Sequence, residues 1–495
     1  MSTRILSAFN LLKRVGFAVL CLCTFAVNSY SQNLDTLWTR LYGGDFRDYP
    51  SDVCVLSNGD IVTVGFSELE LLGDRRPYFV CTHPSGTLAW ENRIDSLYNS
   101  TAVFAGESMD HNVITGVALP YALDSSEFRL FAFSQTGDFL WNRTYVVHHL
   151  AELTCCSIQD NGDIYLVGRI GSDNPAADDI QVIKVNASGA ELWREEYDLQ
   201  GDSDWPYGVA NTRDGGIAIV GRSVNNSLGP DGFFLSLDAN GNIVSTRFSS
   251  ITGIDQYNSV ASTDSTFLVA AYHPDLNGFG ASAMRLDESG SQIWRRTLGT
   301  PNGDEEGAGI AKLADGRIVM TGYTRSFGVN TPDYSNLAIW VLSSSGDSLG
   351  MLYYGGNLAE RGIAIDYSPV HGTCYVAGRN TSAPTTQNAD FWLLRLDSPS
   401  DVFNEPNIVA SSFQLSTYPN PFNSTLTISL EAQPNQNTSI SLYDLLGREV
   451  DVIHEGRLAS STISYTTPPT LSTGIYFIRA ISGDATAIQK VVLLK

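Results

Sequence analysis

Several stretches of the sequence carry side chains whose types and spacing suit chemistry. "GDSLG", residues 346–350, has the G-x-S-x-G spacing of a nucleophile elbow, in which Ser348 would attack from a sharp turn between a strand and a helix. "HHLAELTCC", residues 148–156, brings two histidines and two cysteines together, the ligand types of a zinc site. Asp74, Asp124, Asp179, Asp231, Asp333 and Asp390 recur along the chain, and with "HPDLNG", "DANGN" and "NGDEEG" they offer oxygen ligands of the kind calcium takes. Glu305 and Glu306 are the residue type of a glycosidase pair. "GFGASA", residues 278–283, half-matches a dinucleotide-binding loop.

The elements that would have to position these groups decide between the readings. Gly346 is followed by the strand-like "LGMLYYGG" where an elbow needs a helix, and it shares its place with glycines of five other turns. Neighbours on a strand face opposite ways, so His148 with His149, or Cys155 with Cys156, do not converge on one tetrahedral ion. The aspartates stand at strand entrances, where the side chain closes a turn. No stretch completes a twelve-residue calcium loop, so the cofactor is left unknown, with calcium in the loops as the ion the acids would suit. Adjacent glutamates lack the opposed geometry of glycoside hydrolysis, and no helix follows "GFGASA". The catalytic, cofactor-binding and metal-binding residues among these stretches are therefore read as none.

Those strands belong to a repeat of about fifty residues. Tryptophans fall at Trp38, Trp90, Trp141, Trp193 and Trp294, with a gap near Ser245. Four residues before each expected tryptophan after the first stands a turn glycine: Gly86, Gly137, Gly189, Gly241, Gly290 and Gly346. Two further columns recur seven times each, one as "DIVTVG" to "TCYVAG", the other as "RPYFVCTH" to "DFWLLRLD". Four short strands per unit and no helical period predict an all-β, seven-bladed β-propeller over residues 34–399. The last unit lacks its tryptophan strand while "LDTLWTRLYGG" stands unclaimed at the start, so the N-terminal strand is expected to close the ring.

Composition agrees with this and limits function. Of 495 residues, 43% are hydrophobic and 17% charged, and 44 are glycine. Basic Arg4, Lys13 and Arg14, the apolar "VGFAVLCLCTFAV" and small residues near Ser31 read as a secretory signal over residues 1–31. A net charge of −23 with no basic cluster argues against nucleic acid and for a soluble monomer. The five cysteines beyond the signal, Cys54, Cys81, Cys155, Cys156 and Cys374, are too few for a disulfide scaffold.

After Asp397 the pattern stops. "SPSDVFNEPNIVASSFQLS" reads as a linker, assigned to residues 400–412, before a second domain over residues 413–495 whose first strand is "TLTISL". Pro419 and Pro421 fix φ and remove backbone donors, so they belong at a sheet edge. "YPNPFN", "LYDLLGREV", "LSTGIYFIRA" and the terminal "KVVLLK" occur in order. This stretch resembles the type A C-terminal sorting domain of type IX secretion substrates in Gram-negative bacteria. The resemblance implies a small Ig-like β-sandwich recognised by the type IX secretion machinery and processed by a surface sortase. It also implies secretion or attachment to the outer cell surface, and a sorting-signal motif at Pro419, Asn420, Pro421, Phe422, Asp444, Gly447, Arg448, Gly474, Tyr476 and Lys490.

The propeller resembles the loosely defined seven-bladed segments found upstream of such domains, which implies only a fold. Adjacent cysteines and "G-x-x-x-W" turns also give it a local similarity to propeller quinone dehydrogenases, although the eight-bladed pattern is missing. The expected function is an exported binding or structural module meeting a glycan or surface protein at the propeller mouth. The alternative is a propeller enzyme acting on polysaccharide, or a quinone-dependent dehydrogenase. Two or more carboxylates lining the channel, or a Cys155–Cys156 disulfide, would favour that alternative.

Overall fold

The computed structural model describes residues 36–494 apart from 45, 70–73, 120–126, 148–149, 172–177, 200–202, 226–228, 250–254, 276–277, 301–302, 328–334, 356–358, 382–388, 398–414, 419, 421, 431–436, 445–447, 458–461, 470 and 483–484. The expected signal segment and linker lie outside the described residues. The chain divides into two compact units, Met1–Ser400 and Asp401–Lys495.

The first unit is an all-β propeller of seven four-stranded antiparallel sheets. Blades 1 to 7 begin with the innermost strands Asp48–Val55, Thr101–Glu107, Ala151–Ile158, Asp204–Asn211, Gln256–Ser262, Glu305–Lys312 and Arg361–Ser368, each packed against the next around a ring. The second and third strands of each blade hold the core. Ile61, Val62 and Val64 in blade 1 and Ile217, Ile219 and Val220 in blade 4 are fully buried, as strands covered on both faces require. Six blades take their fourth strand from the same repeat. Blade 7 takes Thr36–Tyr42, which pairs antiparallel with Asp390–Asp397 in the register Trp38↔Arg395 and Tyr42↔Phe391. The chain's first described strand thereby completes its last blade, which has four strands like the others.

The glycine and tryptophan columns are one device. The indole of Trp38 donates to Pro84 O at 3.0 Å, Trp90 to Gln135 O at 2.8 Å and Trp193 to Ala239 O at 3.1 Å, each reaching the turn of the following blade. The turn glycine lies under the ring: a Cβ on Gly137, whose φ is +85°, would stand 2.7 Å from the Trp90 indole. Only glycine fits there, both for the left-handed φ and for the approach. Where the tryptophan is missing, the Ser245 hydroxyl donates to Ser289 O at 2.6 Å, and Phe234 fills the space against Gly290. Arg247, Phe248 and Arg295 line a cavity of about 200 Å³ at that junction.

A further column opens the innermost strands: Asp48, Ser100, Ala151, Asp204, Asp255, Glu305 and Glu360, all buried. Two of its carboxylates turn back on the incoming loop. Asp48 Oδ2 accepts from Gly44 N at 2.7 Å, and Asp204 Oδ2 accepts from Leu199 N at 2.8 Å. The acids thus anchor the connections between blades. Burial raises the carboxyls of Asp48 and Asp204 to about 6.

In the second unit, Leu415–Tyr418, Thr425–Leu430 and Thr462–Thr466 form one sheet, and Glu449–Arg457, Asn437–Tyr443, Gly474–Ser482 and Ala485–Leu493 form another in that order. Both contribute to one apolar cluster that includes Leu426, Ile428, Ile440, Tyr476 and Val491. The stretch read as a linker ends in a strand: Leu415–Tyr418 pairs with Thr425–Leu430, Leu415 facing Leu430. "YPNPFN" therefore joins two strands of a sheet rather than opening the first one. Four residues are too few for an alternation to be visible in sequence.

Candidate functional site

All seven innermost strands carry a β-bulge at the same level. The ladder to the second strand skips Ser51, Val103, Thr154, Tyr207, Asn258, Ala308 and Ile363, one per blade and each half-buried. A bulge turns the strand and re-aims the side chains beyond it. It separates the channel into a rim, formed where the innermost strands begin, and a lower part.

At the rim a belt of arginines, aromatic rings and amides runs around six blades. Arg169 Nη2 pairs with Glu152 at 2.8 Å, and its guanidinium lies 5.6 Å from the Trp205 ring centre. Arg222, opposite Trp205 in the ladder, stacks on the same indole at 4.1 Å and reaches Gln256 Oε1 at 3.5 Å. Gln256 Nε2 donates to Asn258 Oδ1 at 2.6 Å, and Asn258 Nδ2 donates to Gly307 O at 2.7 Å and to Glu306 Oε1 at 3.2 Å. Arg361 then stacks on Tyr323 at 4.1 Å, and Arg379 on Tyr49 at 5.2 Å. Tyr49 meets Phe66 edge-on at 5.1 Å, and Arg75 covers Phe66 at 4.7 Å. Arg361 and Arg379 face each other in the ladder. Burial, and then the like charge of Arg361, hold Arg379 below its ordinary range, with Tyr49 and Glu360 opposing. Burial also raises Glu306, against the pull of Arg361.

Below the bulges Asp52, Glu107 and Asp366 stand on innermost strands, and backbone donors reach all three, Glu107 Oε2 accepting from Ser57 N at 2.6 Å. Asp52 accepts from Val53 N at 2.9 Å and from Ala105 N of the next blade at 3.0 Å. Asp366 accepts from Tyr367 N and from Val55 N of blade 1, both at 2.8 Å. They tie blade to blade where strand edges would leave donors unpaired. Burial pushes Asp52 up to about 7. All five cysteines beyond residue 31 are free, and burial raises the Cys155 thiol to about 12, so it stays protonated and unreactive near neutral pH.

The chemistry-bearing stretches fall elsewhere. Gly346 closes a hairpin, its N–H donating to Ser343 O at 2.9 Å, and Ser348 opens an outer strand. His148 and His149 lie outside the described residues, while Cys155 is half-buried and Cys156 buried on consecutive strand positions. Asp74 pairs with Arg76 at 2.6 Å. Asp179 gathers with Asp198 and Asp204, their oxygens within 4.8 Å of one another. Asp231 and Asp390 are half-buried, and Asp124 and Asp333 lie outside the described residues. "GFGASA" is part of the strand Gly278–Asp287. Of the rim belt, Glu306 alone stands out in the sequence. The belt's other signal is position, since its strand-opening members each directly follow the buried column that starts with Asp48.

In the second unit the motif residues act within the fold. Phe422 is 2% exposed; its N–H donates to Val492 O at 2.9 Å and its O accepts from Leu494 N at 2.8 Å. Asn420 Oδ1 accepts from Val492 N at 2.9 Å, so the first motif is bonded to the last. Asp444 closes the turn to Arg448, accepting its backbone N at 3.0 Å and its Nε at 2.8 Å. Gly474 opens a strand, and the Tyr476 hydroxyl, on a buried ring, donates to Ser472 O at 2.8 Å. Lys490 faces Phe477 in the ladder. Pro419, Pro421 and Gly447 lie outside the described residues.

Residues 416–494 match the family model of the secretion system C-terminal sorting domain. The chain is a type IX secretion substrate. Its sorting domain engages the type IX secretion machinery and sends the protein out of a Gram-negative cell, to the medium or the outer surface. No curated protein matches the chain. Among solved structures, Sqt1 from Chaetomium thermophilum is similar at 11% identity and TM-score 0.42, covering 94% of this chain and 99% of that one. An α-L-arabinanase from Penicillium chrysogenum, complexed with arabinobiose, is similar at 12% identity and TM-score 0.41, covering 63% and 99%. An α-L-arabinofuranosidase from Fusarium graminearum is similar at 8% identity and TM-score 0.42, covering 74% and 99%. Likeness at this level carries no argument about activity.

Proposed function

We propose that the propeller is a binding module, exported by the sorting domain, that receives a glycan or surface protein at the rim of its channel. The observation that carries this reading is the belt from Glu152 to Arg75, in which hydrogen-bonding and stacking side chains converge where the innermost strands begin. Asp52 and Asp366 support it from below. Each carboxylate is committed to two backbone donors and stands as a tie between blades rather than as an acid–base group. In this reading residues 1–31 are a cleaved signal, 34–399 the propeller, 400–412 a linker and 413–495 an Ig-like sorting domain that a surface sortase processes. The motif residues serve sorting by folding that domain.

A glycan array and a pull-down from surface extracts, probed with residues 32–495, test the proposal. Binding lost on Trp205→Ala, with the protein still folded, is the expected result. Turnover of a polysaccharide or a quinone-linked substrate that survives the same change would overturn it.

A further inference from the structure

The chain carries 53 acidic residues against 30 basic ones, and many of its guanidiniums have a carboxylate in contact. Arg76, Arg169 and Arg325 each have one. Arg361 and Arg379 have none in contact: among the described residues neither makes an ion pair, Glu306 draws on Arg361 and Glu360 on Arg379 from beyond ion-pair distance, and the Nε of each is buried with no hydrogen-bond partner. They are opposite one another in the ladder of blade 7, and directly opposed side chains sit about 5 Å apart at Cβ. Tyr323 of blade 6 stacks on one and Tyr49 of blade 1 on the other, which fixes both guanidinium planes at the rim. Two like charges, half out of water and held side by side, repel unless something negative lies between them.

We propose that Arg361 and Arg379 form a receptor for an oxoanion, the carboxylate or sulfate of an acidic saccharide, at the rim of the propeller channel. The proposal rests on the rim being a binding site and names the ligand's chemical class. Paired guanidiniums offer parallel N–H donors that match the two oxygens of a carboxylate or sulfate. Beside them Asn258, Gln256 and Glu306 supply amide and carboxylate groups suited to sugar hydroxyls. Stacking on tyrosine keeps the arginines ordered before the ligand arrives, so less conformational entropy is lost on binding.

Residues 32–495 are titrated with polygalacturonate, dextran sulfate, neutral dextran and polyglutamate, as such and as Arg361→Gln and Arg379→Gln. Binding of an acidic saccharide is expected, at least about tenfold weaker in either variant and weakening with salt. Preference between polygalacturonate and dextran sulfate tells carboxylate from sulfate. Because like-charge repulsion is relieved, Arg379→Gln is expected to unfold at the same temperature as the parent or higher, which separates lost binding from lost folding. Equal binding of neutral dextran, binding unchanged in both variants, or binding of polyglutamate alone would overturn the receptor for an acidic saccharide and leave the rim as a binding site. A rim that binds nothing on the array or from extracts would overturn both.

Discussion

Asp204 is fully buried at the head of an innermost strand, with one oxygen on Leu199 N and the other without a hydrogen-bond partner. Burial lifts its carboxyl from the ordinary 3.8 to about 6, so the folded chain holds a proton that the unfolded chain has released. The stability this contributes is fully present below about pH 4 and lost as pH rises through about 6. Asp204→Asn keeps the acceptor and removes the charge. It is expected to raise the unfolding temperature at pH 8, by the equivalent of about 1–3 kcal/mol, and to leave it unchanged at pH 4. Thermal melts across that range check the sign, and a variant less stable at pH 8 would show the buried charge to be needed. None of this was legible in the sequence. The column runs Asp, Ser, Ala, Asp, Asp, Glu and Glu, so no one residue type marks the position, and the loops before it vary in length. The motif residues Phe422 and Tyr476 were legible as a family signature, whereas their burial follows from the two sheets that cover them.

Among the elements, the hairpin turns and outer strands were the most legible part of the fold. Glycine and tryptophan are demanded there by contact with the next blade, and contact between repeats recurs with the repeat. The innermost strands were the least legible. Each holds one extra residue in a bulge, which shifts the alternation within the strand and hides the period-two pattern. The belt at the rim follows from that layout, since its members come from separate blades and differ in type. Blade 4 shows how the lock adapts, with a serine hydroxyl and a phenylalanine ring standing in for one indole. Trp193→Ala removes both a ring packed on Gly241 and a hydrogen bond, and is expected to cost about 2–4 kcal/mol. Ser245→Ala removes one hydrogen bond and is expected to cost about 1 kcal/mol. Urea unfolding of the two variants gives the comparison, and equal losses would contradict the role assigned to the indole column.

At the scale of the whole molecule, the two units divide the work. The propeller closes on itself through Thr36–Tyr42 and offers a rim, while the second unit carries the address. The address was readable because its motifs are short, ordered and close together. The ligand was not, because the rim is assembled from residues more than two hundred positions apart, such as Glu152 and Arg379. The most direct measurement of the account follows the propeller in cells that possess the type IX route, with and without residues 413–495. The intact chain is expected in the medium or on the outer surface, and the shortened chain in the periplasm, folded and still able to bind. A shortened chain that reached the surface as efficiently as the intact one would contradict the account.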